Sequence, residues 1–341
     1  MPTKLSLKHG RIDLSHGAGG RAMTELIDQV FRAEFKNPLL DQLGDQAIID
    51  PLPAQRLAFT TDSYVVSPLF FKGGDIGSLA VYGTLNDIAC AGAKPLYLSA
   101  GFIIVEGFPL SDLKRIAHSM AMAAHAHQVM IVTGDTKVVE KNACDGLFIN
   151  TTGIGVLDDH FLPSSPQPTD RVVISGDIGD HGAAIISQRE NLSFITDVLS
   201  DSAALTPLIN LILTASPSLR CLRDPTRGGV AAVLNEWAQQ FRVGFLLEES
   251  ALPIKTPVRS ACELLGLDPL YLANEGKVIA ICPAAEAERL LATMQQHPLG
   301  QNAAIIGTVT SDPQAFVQMK TRIGGTRLVD WLAGEQLPRI C

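Results

Sequence analysis

No C-x-x-C pair occurs among the six cysteines, no Walker A loop is present, and no apolar run approaches the roughly 18 residues that a bilayer crossing needs. The first absence argues against a zinc site or a thioredoxin-type redox motif, and the last against a membrane-spanning helix. A basic tract is missing too. The formal net charge is −8 and the Lys and Arg residues are scattered, so nothing is placed to neutralise a row of phosphates, and nucleic acid and anionic membrane are poor partners. Met1-Pro2-Thr3-Lys4 leads into polar sequence without an apolar signal core, which predicts a cytoplasmic protein. The cysteines suit that compartment. Most stand in apolar surroundings such as Ile281-Cys282-Pro283, where a buried, inert thiol is expected, whereas Cys341 is the last residue of the sequence and is not core by default.

What is present is an ordinary globular composition, 46% apolar, over 341 residues, long enough that two domains are expected. Helix-like and strand-like stretches alternate. The periodicity predicts a helix from Gly20 to Phe35, with Met23, Leu26, Ile27, Val30 and Phe31 on one face. Strands are expected at 57–61, 96–105, 129–132 and 147–156, the first ending at Asp62 and the third in Gly134-Asp135. Helices fill 75–91 and the stretch to His127, the latter N-capped by Ser111. Pro163, Pro166 and Pro168 break the pattern and set a boundary, giving domains over 1–160 and 170–333. The second is predicted to hold strands at 171–175, 243–247, 278–282, 303–309 and 316–319, with helices at 205–215, after Gly229 and at 284–296. Residues 334–341 read as an extended, flexible tail, because Pro338 opposes helix. Gly-Asp-Ile-Gly occurs at 74–77 and again at 176–179, too short an echo to establish a duplication.

Five aspartates carry the strongest chemical signal: Asp45, Asp62, Asp87, Asp135 and Asp224, each read as lying at a strand-to-loop junction. Any one of them is more simply a turn or cap residue. Together they suit magnesium, which takes a few carboxylate oxygens and keeps its other positions for phosphate and water. Two Gly-rich turns, His16-Gly17-Ala18-Gly19-Gly20 and Thr226-Arg227-Gly228-Gly229, precede helices and would let backbone N–H groups approach phosphate oxygens, although a plain tight turn explains each alone. Lys137, after Gly-Asp, and Glu275, in Ala273-Asn274-Glu275-Gly276-Lys277, are candidates for charge stabilisation and proton transfer, with an ordinary surface pair as the simpler explanation. His125 and His127 would face different ways on a helix, and His181 opens a helix with no assigned partner. A thiol on the Pro-stiffened tail at Cys341 could enter a pocket as a nucleophile or carrier.

These stretches together resemble the HypE family of hydrogenase maturation proteins, within the superfamily of aminoimidazole ribonucleotide synthetase and selenophosphate synthetase. The likeness rests on His16–Met23, Thr60–Gly77, Gly83–Ala89, Val132–Glu140, Ser175–Ile185, Arg223–Gly229, Ala273–Lys277 and the ending Pro338-Arg339-Ile340-Cys341, which separates this family from its relatives. It implies a two-domain α/β fold of the aminoimidazole ribonucleotide synthetase type and a homodimer paired through the N-terminal domain. It implies ATP and Mg2+ as cofactors, the nucleotide held by Asp62, Asp87, Gly134, Asp135, Thr136, Asp224, Thr226, Gly228 and Gly229. It further implies that a HypF-type carbamoyltransferase loads Cys341. ATP-driven dehydration then leaves a thiocyanate, whose cyanide passes to iron on a HypC–HypD complex for [NiFe] hydrogenase. Lys137 and Glu275 would stand near the cysteine, Glu275 as base for the nitrogen proton. Two departures stand out: Gln46 follows Asp45 where paired acids are common, and Asn142 replaces a turn glycine, a change asparagine tolerates because it accepts positive φ.

Overall fold

The structure, a computed structural model, describes residues 5–17, 21–42, 56–157, 161, 163–190, 198–331 and 339–341. Two compact units emerge: Met1–Phe70, Gly74–Ile88 and Lys94–Leu157 form the first, and Phe71–Gly73, Ala89–Ala93 and Asp158–Cys341 the second. Asp45, Gln46, Ala18, Gly19, Gly20 and the stretch 332–338 lie outside the described residues.

The helix expected at the start of the first unit forms in three pieces: α1 (Arg21–Leu26), a π-helical turn (Ile27–Arg32) and α2 (Ala33–Phe35). The wider turn still keeps Leu26, Val30, Phe31 and Phe35 buried. There follow β1 (Leu57–Tyr64), the two-residue strands β2 (Phe70–Phe71) and β3 (Gly74–Asp75), α3 (Ile76–Cys90), β4 (Ala93–Val105), α4 (Leu110–Ala126), β5 (Met130–Val139) and β6 (Leu147–Leu157). A four-stranded sheet orders them β1-β6-β4-β5. β1 and β6 pair antiparallel, while β4 and β5 run parallel because α4 carries the chain back across the sheet. Buried Leu110, Leu113, Ile116, Ala117, Met120, Ala123 and Ala124 recur at helical spacing on α4 and form its core face. Its N-cap is Pro109 and not Ser111, which lies inside the first turn. Asn142 adopts φ 71°, the left-handed backbone that its side chain tolerates.

The sheet has two unlike faces. On β1, Leu57, Phe59, Thr61 and Ser63 point away from the helices, while Ala58, Thr60, Asp62 and Tyr64 alternate towards α3. Phe59 is 71% exposed, and Leu57 on β1 and Ile103 on β4 share its outer face and are also exposed.

The second unit contains β7 (Arg171–Ile174), α5 (Asp180–Arg189), α6 (Thr206–Ala215), β8 (Cys221–Arg223), α7 (Gly229–Phe241), β9 (Gly244–Glu248), α8 (Thr256–Leu265), β10 (Ile279–Cys282), α9 (Ala284–Gln295), β11 (Ala304–Thr310), β12 (Val317–Lys320) and β13 (Thr326–Leu328). Its seven strands run β13-β12-β9-β11-β7-β10-β8, antiparallel except where β12 meets β9. The central strands are covered on both sides. Val172, Ile174, Ile279 and Ile281 belong to a core cluster with α7, and the alternate residues Val173, Val278, Ala280 and Cys282 to one with α6 and α9. That double burial is why β7 and β10 read as unbroken apolar runs.

Candidate active site

Three of the aspartates expected at strand ends do not lie there. Asp62 is inside β1, Asp87 is in the last turns of α3, and Asp135 is in the middle of β5; Asp224, just after β8, is at a junction as expected. β5 runs through Gly134-Asp135 because β4 pairs with it throughout. Gly134 serves a close approach and not a turn, since a Cβ there would lie 2.3 Å from the Ala100 carbonyl oxygen.

Within the first unit these residues form two groups. Asp62 faces α3 and accepts from the Tyr64 hydroxyl at 3.3 Å, and the Thr60 hydroxyl donates to Asp87 at 2.7 Å. Asp135 and Lys137 are paired in register with Gly101 and Ile103, on the opposite face and on the far edge strand. The Lys137 ammonium is 3.2 Å from the Asp135 carboxylate, and both side chains are exposed, an ion pair of small energetic worth. Among the described residues no three His, Cys, Asp or Glu side chains come together as a metal cage. Gly134, Asp135 and Thr136 border a cavity of about 120 Å³, open to solvent, whose other walls include Phe31, Phe102 and Ile131.

In the second unit the Arg223–Gly229 loop closes on α7. Gly228 caps the helix at φ 77° and Gly229 follows at φ 61°, where a side chain would meet the Leu270 and Leu272 carbonyls. The Gly229 N–H is used internally, donating to the Thr226 carbonyl, and Asp224 is buried beside it. Asn274, fully buried, joins three loops: its amide donates to the Pro225 and Leu272 carbonyls, and its Oδ1 accepts from the Gly179 N–H at 2.7 Å. Glu275 is buried, and its N–H donates to Asp201 Oδ1 at 3.0 Å. Lys277 donates to the other Asp201 oxygen at 3.0 Å. Burial alone would raise the Asp201 pKa, but Lys277, His181 and the Glu275 N–H outweigh it and hold this carboxyl below its ordinary range.

The chain end is seated on the same framework. Ile340 is only 5% exposed, its carbonyl lies 2.7 Å from His181 Nε2, and Arg189 donates to the Arg339 carbonyl at 2.8 Å. Cys341 is half-buried. By contrast, burial pushes the thiols of Cys221 and Cys282 up to about 12 and that of Cys262 to about 11, so these three are inert near neutrality, as their apolar surroundings predict. Sequence reasoning missed Asp201, Asn274 and the role of His181. Asn274 stands in a quoted motif, but Asp201, in Ser200-Asp201-Ser202, gives no signal beyond that of an ordinary polar loop.

A first unit that carries Asp62, Asp87 and Asp135 on its sheet and α3, and a second unit whose chain end is seated against His181, define the class first. Residues 43–157 match the family described as AIR synthase related protein, N-terminal domain, and residues 167–320 its C-terminal domain. The relatives are more particular. The carbamoyl dehydratase HypE of Azotobacter vinelandii is 58% identical over 341 residues, covering 99% of this chain and 100% of that protein. A crystal structure of a hydrogenase maturation protein HypE in complex with ATP aligns with a TM-score of 0.92 at 49% identity, over 96% of this chain and 99% of that one. A chain from a HypE–HypF complex aligns at 0.78 and 49% identity, over 90% of this chain and 99% of its own. The chain belongs to the HypE family of hydrogenase maturation proteins.

Proposed function

We propose that this chain is an ATP-dependent carbamoyl dehydratase whose substrate is its own S-carbamoylated Cys341, and that the product, a thiocyanate on the same sulfur, supplies the cyanide ligand of [NiFe] hydrogenase iron. The observation that supports the assignment is the seating of the tail: the Ile340 carbonyl next to the terminal thiol meets His181, in the same unit as the buried Glu275. The names of its relatives point the same way.

An amide-type oxygen leaves poorly, and phosphorylation makes it a good leaving group. Departure of phosphate from the carbon, with loss of the two nitrogen protons, closes the C≡N bond, so one ATP is consumed for one water's worth of oxygen and hydrogen removed. Glu275 is the base for nitrogen, and Lys137 stabilises charge on the oxygen. The cavity beside Gly134–Thr136 fits a purine: it is concave, apolar and aromatic, with polar backbone at one border. Asp62, Asp87, Asp135, Asp224, Thr226, Gly228 and Gly229 complete the nucleotide set. Magnesium is compatible with the carboxylates, because it needs only one or two beside phosphate oxygens, and it would neutralise phosphate charge there. Asp62 and Asp87 are the pair best placed to supply them, with Asp45, Asp135 and Asp224 as the remaining candidates.

The partners follow from the chemistry. A HypF-type carbamoyltransferase loads the sulfur, and a HypC–HypD complex accepts the cyanide. A second copy of the chain is expected on the outer sheet face, where Leu57, Phe59 and Ile103 are exposed. Among the described residues no helix is long and apolar enough to cross a membrane. Intact mass after incubation with a HypF-type enzyme, carbamoyl phosphate and Mg-ATP tests the whole assignment. A carbamoyl adduct that then loses one water, mapped to Cys341 and abolished in Cys341→Ala, is expected. An unmodified Cys341 in the presence of active transferase would send the assignment to phosphorylation of a free small molecule.

A further inference from the structure

His181 is fully buried at the start of α5, and the chemistry assigned above makes no use of it. Its two ring nitrogens are both engaged. Nδ1 is 2.8 Å from the Ser200 hydroxyl and Nε2 is 2.7 Å from the Ile340 carbonyl oxygen, while the Phe71 ring packs edge-on with its centroid 5.5 Å away. A carbonyl can only accept, so Nε2 carries the hydrogen. Burial holds His181 below its ordinary pKa, so the ring is neutral near pH 7 and Nδ1 must accept. Ser200 fits that demand: its oxygen accepts from the Ser202 N–H at 3.1 Å, leaving its own hydrogen for Nδ1. The chain of donors therefore runs from Ser202 through Ser200 and His181 to the tail, and every hydrogen has an acceptor. Withdrawing the tail removes the acceptor for a buried N–H, which is costly to leave unmade.

Other features oppose docking. Arg339 adopts φ 56°, a conformation unfavourable for a residue with a side chain, and its charge acts against that of Arg189, which binds its carbonyl. The hydrogen bonds from His181 and Arg189 and the buried Ile340 side chain thus act against local strain and like-charge repulsion. Such a balance can be shifted by a partner of modest affinity.

We propose that His181 is the latch of the tail: by donating from Nε2 to the Ile340 carbonyl it sets the fraction of molecules in which Cys341 is docked in the second unit. It is a positioning residue, acting through the backbone of Ile340. The inference rests on the assignment of Cys341 as carbamoyl acceptor for its meaning, but not for its test.

Carboxypeptidase removal of Cys341 and Ile340, followed by intact mass, reads the undocked fraction of the full chain, because cleavage requires Ile340 to leave its pocket. His181→Asn and His181→Gln are compared: both are smaller than histidine, but only glutamine carries an N–H far enough to replace Nε2. We expect Asn to accelerate removal roughly three- to tenfold, the range one ordinary hydrogen bond gives, and Gln to recover most of the protection. Cys282, fully buried, must stay unreactive to a thiol reagent in both, which separates release of the tail from unfolding. Carboxypeptidase rates for Asn and Gln that both match the parent, with Cys282 protected, overturn the latch. Equal acceleration in both does so as well, because it makes the histidine a packing residue. In carbamoylated protein, Asn should slow the ATP-dependent loss of water by a similar factor, and Gln should restore it. If the parent chain accepts no carbamoyl group, the assignment of the reaction falls, while faster trimming of Asn alone still establishes the latch.

Discussion

Lys277→Met tests the framework on which Glu275 stands. The substitution keeps an unbranched side chain one atom shorter and removes its charge. It leaves Asp201, whose side chain is 3% exposed, as a buried carboxylate with the Glu275 N–H but without its cation. Breaking a buried pair from one side costs about 3–5 kcal/mol, well above the 0–1 kcal/mol of an exposed pair such as Lys137–Asp135. At roughly 2–4 °C per kcal/mol, the thermal midpoint should fall by about 10 °C. The double variant Asp201→Asn with Lys277→Met should recover most of that. Asparagine keeps an oxygen for the Glu275 N–H and carries no charge to strand, so the cycle should return a coupling of at least about 2 kcal/mol. The pH dependence has a definite sign. Asp201 is held below its reference value of 3.8, so the stability it contributes is complete above that pH and is lost as the pH falls through the lower folded value. Parent and Lys277→Met should therefore differ most near neutrality and converge in acid. Urea melts at pH 7 and below pH 4 measure both. A Lys277→Met protein within about 1 kcal/mol of the parent at pH 7, or a double variant as unstable as the summed singles, would refute the reasoning.

Gly134→Ala forces a Cβ to within 2.3 Å of the Ala100 carbonyl between paired strands, and should destabilise the first unit by more than about 2 kcal/mol in denaturant melts while leaving the second unit's Cys282 protected. Phe59→Asp places a charge on the exposed outer face, so the monomer should keep its melting temperature. If the chain pairs as proposed, sedimentation should then show the variant as a monomer where the parent is a dimer; a variant that stays dimeric would move the pairing surface elsewhere.

Much of the fold was legible because burial leaves a periodic mark. The seven-residue spacing on α4 and the unbroken Val172-Val173-Ile174 run each report one packing environment. Legibility failed where partners overrode local signals. Gly134-Asp135 has the composition of a turn, yet β4 holds it extended over nine paired positions. β8 and β13, three residues each, are too short to carry a pattern. The candidate site was legible as a set of residue types and not as an arrangement. Glu275 was found from its motif, but the carboxylate that fixes its backbone is 74 positions away, and the imidazole that fixes the tail is 159 positions from Ile340. No window along the chain contains either pair.

The same limit applies to the aspartates, and there it changes the chemistry that can be argued. Read along the chain, five junction carboxylates suggest one convergent site. In the sheet, β1 and β5 are opposite edges separated by three strand spacings, about 14 Å, and Asp62 and Asp135 point to opposite faces. Magnesium binds oxygens at about 2.1 Å, so one ion cannot draw on both within one copy of this sheet. The first unit therefore offers two separate electrostatic features: a carboxylate pair with Thr60 and Tyr64 on the helix side, and an Asp135–Lys137 pair on the outer side. On the proposed function the outer pair lies on the face assigned to the second copy. Dimerisation would then alter the surroundings of Lys137 directly, and Asp62 and Asp87 only through the sheet. A Phe59→Asp monomer that lost dehydration but still bound Mg-ATP would separate these two roles, because only the outer pair depends on what covers that face.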